Sequence, residues 1–218
     1  MTRDWARWHD GYDDPSSPLS ARLAIIRGHL ADAITAAPPG PVRLVSLCAG
    51  QGQDVLGVLP DHPRRDDVTA VLVELHPGNA RQAAARAARE GLAAVEVREG
   101  DAGLIAGYAD ALPADVLLLC GIFGNVSDSD IGRTVAAAPF LCAPGGTVIW
   151  TRHRRPPDLT PLVREWFAAA GFAEVAFEAP QSGSTLIGVG VHRRLADPGR
   201  RSQLASAAGG RLFTFTTT

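Results

Sequence analysis

The sequence predicts a doubly wound α/β domain: a sheet of seven strands, parallel except for an antiparallel last strand, with helices on both faces. Three observations carry this. Strand-like and helix-like segments alternate from residue 42 to residue 170, the order expected when helices cross over between parallel strands. Strand runs such as Val116-Leu117-Leu118-Leu119 are continuously apolar, as they are when both faces of a sheet are covered. The last two strand runs, 173–177 and 185–192, are separated only by a loop around Ala179-Pro180-Gln181-Ser182-Gly183. No helix fits between them, so they pair as an antiparallel hairpin.

Taken in order, residues 1–18 are polar and turn-rich but carry Trp5, Trp8, His9 and Tyr12. A helix follows over 19–36, with Leu23, Ile26, Leu30, Ala33 and Ile34 on one face, and Pro38-Pro39-Gly40-Pro41 stops it. Strands are expected near 42–48, 69–75, 94–98, 114–120 and 145–150, and helices near 52–59, 78–90, 128–138 and 158–170. Asp128 and Asp158 stand where a side chain can accept orphan amides at a helix start, and Pro161 lies in a first turn. Past Leu195 the chain is mostly Ala, Gly, Arg and Ser, then closes on Arg211-Leu212-Phe213-Thr214-Phe215, which has strand character. The expected division is an N-terminal lid segment and helix (1–40), a core (41–195) and a C-terminal tail (196–218).

Composition narrows the function classes. A formal net charge of −2 over 218 residues provides no electrostatic footprint for nucleic acid. Cys48, Cys120 and Cys142 are odd in number, form no Cys-x-x-Cys pair and adjoin apolar runs. They read as buried free thiols of a cytoplasmic protein, not as disulfides or a metal site. No apolar run reaches membrane-spanning length, and the first residues lack the apolar core of a signal peptide.

The most informative stretch is Leu44-Val45-Ser46-Leu47-Cys48-Ala49-Gly50-Gln51-Gly52-Gln53-Asp54. An apolar run feeds a glycine turn that lets backbone approach a ligand, although tight turns also use glycine for steric reasons alone. Glu74 ends the next strand run, 22 residues after Gly52, and Gly100-Asp101-Ala102 follows the third. Together these resemble motifs I, II and III of class I S-adenosylmethionine-dependent methyltransferases, over roughly residues 40–193. The antiparallel last strand fits that Rossmann-like fold and not an ordinary dinucleotide-binding one.

The resemblance implies S-adenosyl-L-methionine as cofactor and a set of contacts to it. Cys48, Ala49, Gly50, Gly52 and Asp54 would line its methionine and ribose portions. Glu74, with Leu75 beside it, would accept from the ribose hydroxyls, and Asp101 with Ala102 would meet the adenine. Gly-Asp-Ala fits an ordinary helix cap equally well. Cys120 and Gly121, ending the fourth strand, would flank the crevice, and Arg22 is the candidate partner for the methionine carboxylate. Two departures stand out: Ser46 replaces the acidic residue usual inside the first strand, and Cys48 replaces the first motif glycine.

The acceptor side is less defined. The loop Gly121-Ile122-Phe123-Gly124-Asn125-Val126-Ser127-Asp128 lies where acceptors sit in the family, and it is not of the Asn-Pro-Pro-Tyr type. Phe123 could face an aromatic acceptor or the sulfonium or simply pack in the wall, and Asn125 could orient an acceptor or serve as an ordinary turn residue. His153 and His9 are the candidate bases. His153 stands in Thr151-Arg152-His153-Arg154-Arg155, directly after the fifth strand, where like charge lowers its pKa. Those arginines, Arg152 among them, could instead hold an anionic acceptor or form a solvated basic turn. Trp5, Trp8, His9 and Tyr12 would fold over the crevice as a lid, or pack on a partner subunit.

The expected activity is methyl transfer to a small-molecule acceptor by in-line displacement, in a monomer or homodimer with no metal, nucleic acid or membrane partner. An NAD-dependent oxidoreductase and a non-catalytic nucleoside-binding module are the rivals. The same cofactor used on RNA is a third possibility, weakened by the lack of basic patches beyond residues 152–155.

Overall fold

The computed structural model describes residues 14, 17–179, 181–182, 185–195 and 210–216. Among the described residues lie eight strands, β1 (Val42–Leu47), β2 (Val68–Glu74), β3 (Val95–Glu99), β4 (Ala114–Leu119), β5 (Cys142–His153), β6 (Phe172–Glu178), β7 (Gln181–Ser182) and β8 (Thr185–Arg194), and four α-helices. The helices are α1 (Pro18–Ala36), α2 (Pro77–Arg89), α3 (Asp128–Leu141) and α4 (Thr160–Ala169). The main sheet runs β3-β2-β1-β4-β5-β8-β6, and the two-residue β7 pairs with the start of β8. Strands β1 to β5 pair in parallel. β8 is inserted antiparallel between β5 and β6, as the helix-free link between the last two long strands requires.

Each face of the sheet has its own core. On one side Leu44, Leu72, Val116, Leu118 and Ile149 pack under α1 and α2. On the other, Val45, Leu47, Leu117, Leu119 and Trp150 pack under α3, α4 and residues of the C-terminal segment. The period-two alternation of a strand assigns its successive side chains to these two layers. Covered on both sides, the central strands have no polar face to show, which explains their mostly apolar runs.

Helix ends follow local chemistry. Ser17 caps α1 through the Ser20 amide, with Pro18 in the first turn. His76 caps α2 by accepting from the Asn79 amide. Arg64 donates to the carbonyls of Ile34, Ala37, Pro38 and Gly40 and so satisfies the C-terminal end of α1.

Several expectations need correction. No α-helix forms over 52–59; two short 3-10 turns, Val55–Gly57 and Leu59–Asp61, replace it. Gly52 at φ +68° and Pro60 break the helical path on either side. The cap of α3 is Ser127, accepting from the Asp130 amide, while Asp128 is already inside the helix. Asp158 does accept the Thr160 amide at 2.9 Å. β5 is longer than expected, and His153 is its last residue, because β8 pairs with it as far as Ile187.

Candidate active site

Strand β1 lies between β2 and β4, so its C-terminal end is the point where strand order reverses and a crevice opens. The turn after β1 enters that crevice in a left-handed path: Cys48, Gly50 and Gly52 have φ of 57°, 58° and 68°. Among the described residues Cys48 is the only non-glycine with positive φ. An L-residue costs about 1 kcal/mol there, so the turn demands this geometry even where glycine is missing. A Cβ on Gly52 would lie 2.8 Å from Leu56 and 3.1 Å from Leu72. The core side of the turn therefore also requires that glycine.

Glu74 and Asp101 flank this turn. Glu74, 8% exposed, accepts from the Gly50 amide through Oε2 and from the His76 amide through Oε1, both at 2.8 Å. The carboxylate thus ties the end of β2 to the glycine turn, and each oxygen keeps a second lone pair. Burial, and then the Glu74 and Asp101 carboxylates, push the Cys48 thiol well up; the two acids and the turn form one electrostatic neighbourhood. Asp101 Oδ1 accepts from the Gly103 amide at 2.8 Å, an Asx-type turn. The Tyr108 hydroxyl, fully buried, donates to the Ala102 carbonyl at 3.1 Å and pins the same loop from below. Leu75 beside Glu74 is 66% exposed, the highest value among the large hydrophobics described.

Further along the crevice, Arg22 is buried on α1. Its charge acts on both the Asp54 carboxyl and the Cys120 thiol, so Arg22, Asp54 and Cys120 converge. Burial pushes the Asp54 carboxyl up, and the Val55 amide and the two arginines Arg22 and Arg27 oppose it. Gly121, at φ +78°, donates its amide to the Thr151 hydroxyl at 2.9 Å.

Three consecutive residues of β5 hold the acceptor-side loop. Thr151 takes the Gly121 amide, Arg152 donates to the Phe123 carbonyl, and a Cβ on Gly124 would meet the His153 ring at 3.2 Å. Asn125 closes the loop by donating to the Gly121 carbonyl at 2.7 Å. His153 Nδ1 is buried without a hydrogen bond among the described residues. Its pKa is lowered chiefly by burial, then by Arg152 and Arg155. Arg154, also expected to contribute, instead pairs with Asp158 at 2.9 Å.

Two acceptor-side candidates are buried. Phe123 is fully buried, 5.9 Å from Trp150 between ring centroids, because the apolar core offers its ring more contact than a crevice wall. Arg152 is 7% exposed, donates to the Phe123 carbonyl and lies 3.7 Å from Asp128, so it helps hold this loop. His9, Trp5, Trp8 and Tyr12 lie outside the described residues. Thr151 and Tyr108 were not legible as site residues, since an isolated threonine or tyrosine in an apolar run carries no positional signal.

No protein-family model matches this sequence, and no curated protein matches it significantly. Solved structures do match. A 1,6-didemethyltoxoflavin-N1-methyltransferase from Burkholderia thailandensis, solved with 1,6-didemethyltoxoflavin and S-adenosylhomocysteine bound, superposes with TM-score 0.61 at 17% identity over 88% of this chain and 87% of its own. An O-methyltransferase family protein from the same organism gives TM-score 0.61 at 18% identity over 85% of this chain. This chain spans 59% of that protein's length. A tRNA methyltransferase from B. subtilis gives TM-score 0.54 at 16% identity over 79% of this chain and 65% of its own. The fold is that of the class I methyltransferases.

Proposed function

We propose that this protein is an S-adenosylmethionine-dependent methyltransferase acting on a small-molecule acceptor. The observation that carries the reading is the meeting of Glu74, Asp101 and the Cys48–Gly52 turn at the edge formed by β1, β2 and β3. The donor set fits the group. Glu74 keeps acceptor lone pairs for ribose hydroxyls, Asp101 for an amino group, and exposed Leu75 offers an apolar face to a base. Arg22, opposite Asp54 and Cys120, suits the carboxylate of the amino-acid portion.

When bound, the sulfonium donor supplies both the methyl group and its own leaving group. The chain's task is then to bind, orient and exclude water. Thr151, Arg152 and Asn125 fix the loop on which an acceptor would rest. His153, whose pKa burial and the neighbouring Arg152 and Arg155 lower, is assigned to take the acceptor's proton. With an accepted substrate, His153→Ala should lower kcat and shift its pH profile; a rise in KM alone would assign the ring to binding.

A small acceptor is favoured over nucleic acid by charge. The formal net charge is −2, and Arg98 is met by Glu96 and Asp110, Arg133 by Asp130, Arg154 by Asp158 and Arg164 by Glu174, so these four arginines are already partnered and are not free for phosphates. Calorimetry with S-adenosylmethionine, S-adenosylhomocysteine and NAD side by side tests the proposal. Binding of the first two without NAD is expected; NAD binding alone would sink it in favour of a dehydrogenase.

A further inference from the structure

We propose that Arg211, on the C-terminal segment 210–216, is a positioning residue for the nucleoside end of the site, holding the Asp101 carboxylate in register for an adenine amino group. The inference rests on the assignment of Asp101 made under the proposed function, and adds a residue that no motif of the sequence contains.

The segment crosses the mouth of the crevice between two loops. At its start Leu104 and Arg211 form an antiparallel bridge, and the Leu212 amide donates to the Gly103 carbonyl at 2.8 Å. Gly103 is needed for this approach: a Cβ there would lie 2.3 Å from the Phe213 carbonyl oxygen. Leu212 and Phe213, 2% and 1% exposed, anchor the segment in the core under α3. The Thr214 amide then donates to Asp130 Oδ2 at 3.1 Å, Phe215 bridges to Val126, and the Thr216 amide donates to the Asn125 carbonyl at 2.9 Å. The segment therefore ties the loop after β3, which carries Asp101, to the loop after β4, which carries Asn125.

Within this frame the Arg211 backbone is fixed, and its Nη1 donates to Asp101 Oδ2 at 2.7 Å and to the Phe213 carbonyl at 3.3 Å. The other oxygen of Asp101 is held by the Gly103 amide. A carboxylate gripped at both oxygens cannot rotate, yet each oxygen retains a lone pair. A fixed acceptor discriminates by chemistry. It favours a ligand that offers an N–H and opposes one that offers a carbonyl oxygen at the same place. The side chains of Arg211 and Asp101 are 41% and 34% exposed, and exposed pairs contribute little to folding. Replacing Arg211 should therefore act on recognition more than on stability.

The test is calorimetry with S-adenosylhomocysteine and its 6-oxo (inosine) counterpart on the full chain. The wild-type protein should prefer the adenine form. Arg211→Ala should reduce that preference roughly fivefold, by weakening the adenine form alone, and Arg211→Lys should restore part of it. Should Arg211→Ala fail to fold, Arg211→Gln against Arg211→Lys gives the same comparison. An unchanged preference in a folded variant overturns the inference and leaves the proposed function standing, as does equal binding of both ligands by the wild type. Wild-type protein that binds neither ligand overturns both.

Discussion

Glu74 serves two purposes with one carboxylate. It holds the amides of Gly50 and His76, and its remaining lone pairs are those assigned to a ligand. Glu74→Ala should consequently weaken S-adenosylhomocysteine binding by about thirty- to hundredfold. It should also destabilise the fold by on the order of 2 kcal/mol, since two inner amides lose their acceptor. Unchanged affinity in a folded variant would remove the ribose assignment, whatever happens to stability. His192 is a second residue whose environment predicts a measurement. It is 1% exposed, accepts from Trp150 Nε1 at 3.1 Å and stacks on Phe167. Burial, only partly opposed by Glu174, lowers its pKa from 6.5 to about 4. The folded state thus refuses a proton that the unfolded chain accepts. Its stability contribution is complete above the unfolded pKa and is lost as pH falls from 6.5 toward 4, by on the order of 3 kcal/mol in all. Urea unfolding across that window should show the decline in the wild type and a flatter curve in His192→Gln. Equal slopes would assign the acid sensitivity to other groups.

The C-terminal segment behaves as an element of the core despite its tail-like sequence context. Phe213 is 1% exposed and packs edge-on against Phe215, 5.8 Å between ring centroids. Phe213→Ala should cost about 3–5 kcal/mol in urea unfolding, as truncation of a buried aromatic ring does; a loss below 1 kcal/mol would show that the segment is only loosely attached. Its strand character was legible in Leu212-Phe213-Thr214-Phe215, but its destination was not. Asp101 and Arg211 are 110 residues apart, and no local pattern encodes such a pairing. The same distinction runs through the molecule. Strands β1, β2 and β4 were legible because burial on both faces writes a mostly apolar run, interrupted only by residues such as Arg43, Ser46 and Thr69. The reversed β8 was legible because no helix fits before it. Residues 52–59 misled because Val55, Leu56 and Leu59 have helical spacing, while the left-handed Gly52 and the ring of Pro60 dictate short 3-10 turns. Glu74 and Asp101 were legible as strand-end acids. Tyr108 and Thr151, which brace the crevice through single hydrogen bonds, depend on tertiary contact and left no mark.

At the scale of the whole molecule, both cores rest on one sheet. Leu117 and Leu119 face α3 while Val116 and Leu118 face α1, so neither layer can melt without exposing the strands of the other. Unfolding should accordingly be a single transition, with circular dichroism and tryptophan fluorescence superimposing. The crevice is built from the ends of those same strands: Glu74 from β2, the turn after β1, and the loops after β3 and β4. A ligand that requires this arrangement binds the folded chain alone, and its binding free energy adds to global stability. At a concentration one hundred times its dissociation constant, S-adenosylhomocysteine should add about 2.7 kcal/mol. For a chain of this size that corresponds to a rise in Tm of about 5–10 °C. Each further tenfold in ligand should add about 1.4 kcal/mol, and the transition should remain single. NAD at the same concentrations should leave Tm where it was. A split transition would mean that the two layers fold independently. A shift with NAD and none with S-adenosylhomocysteine would mean that Glu74 and Asp101 serve a different nucleotide.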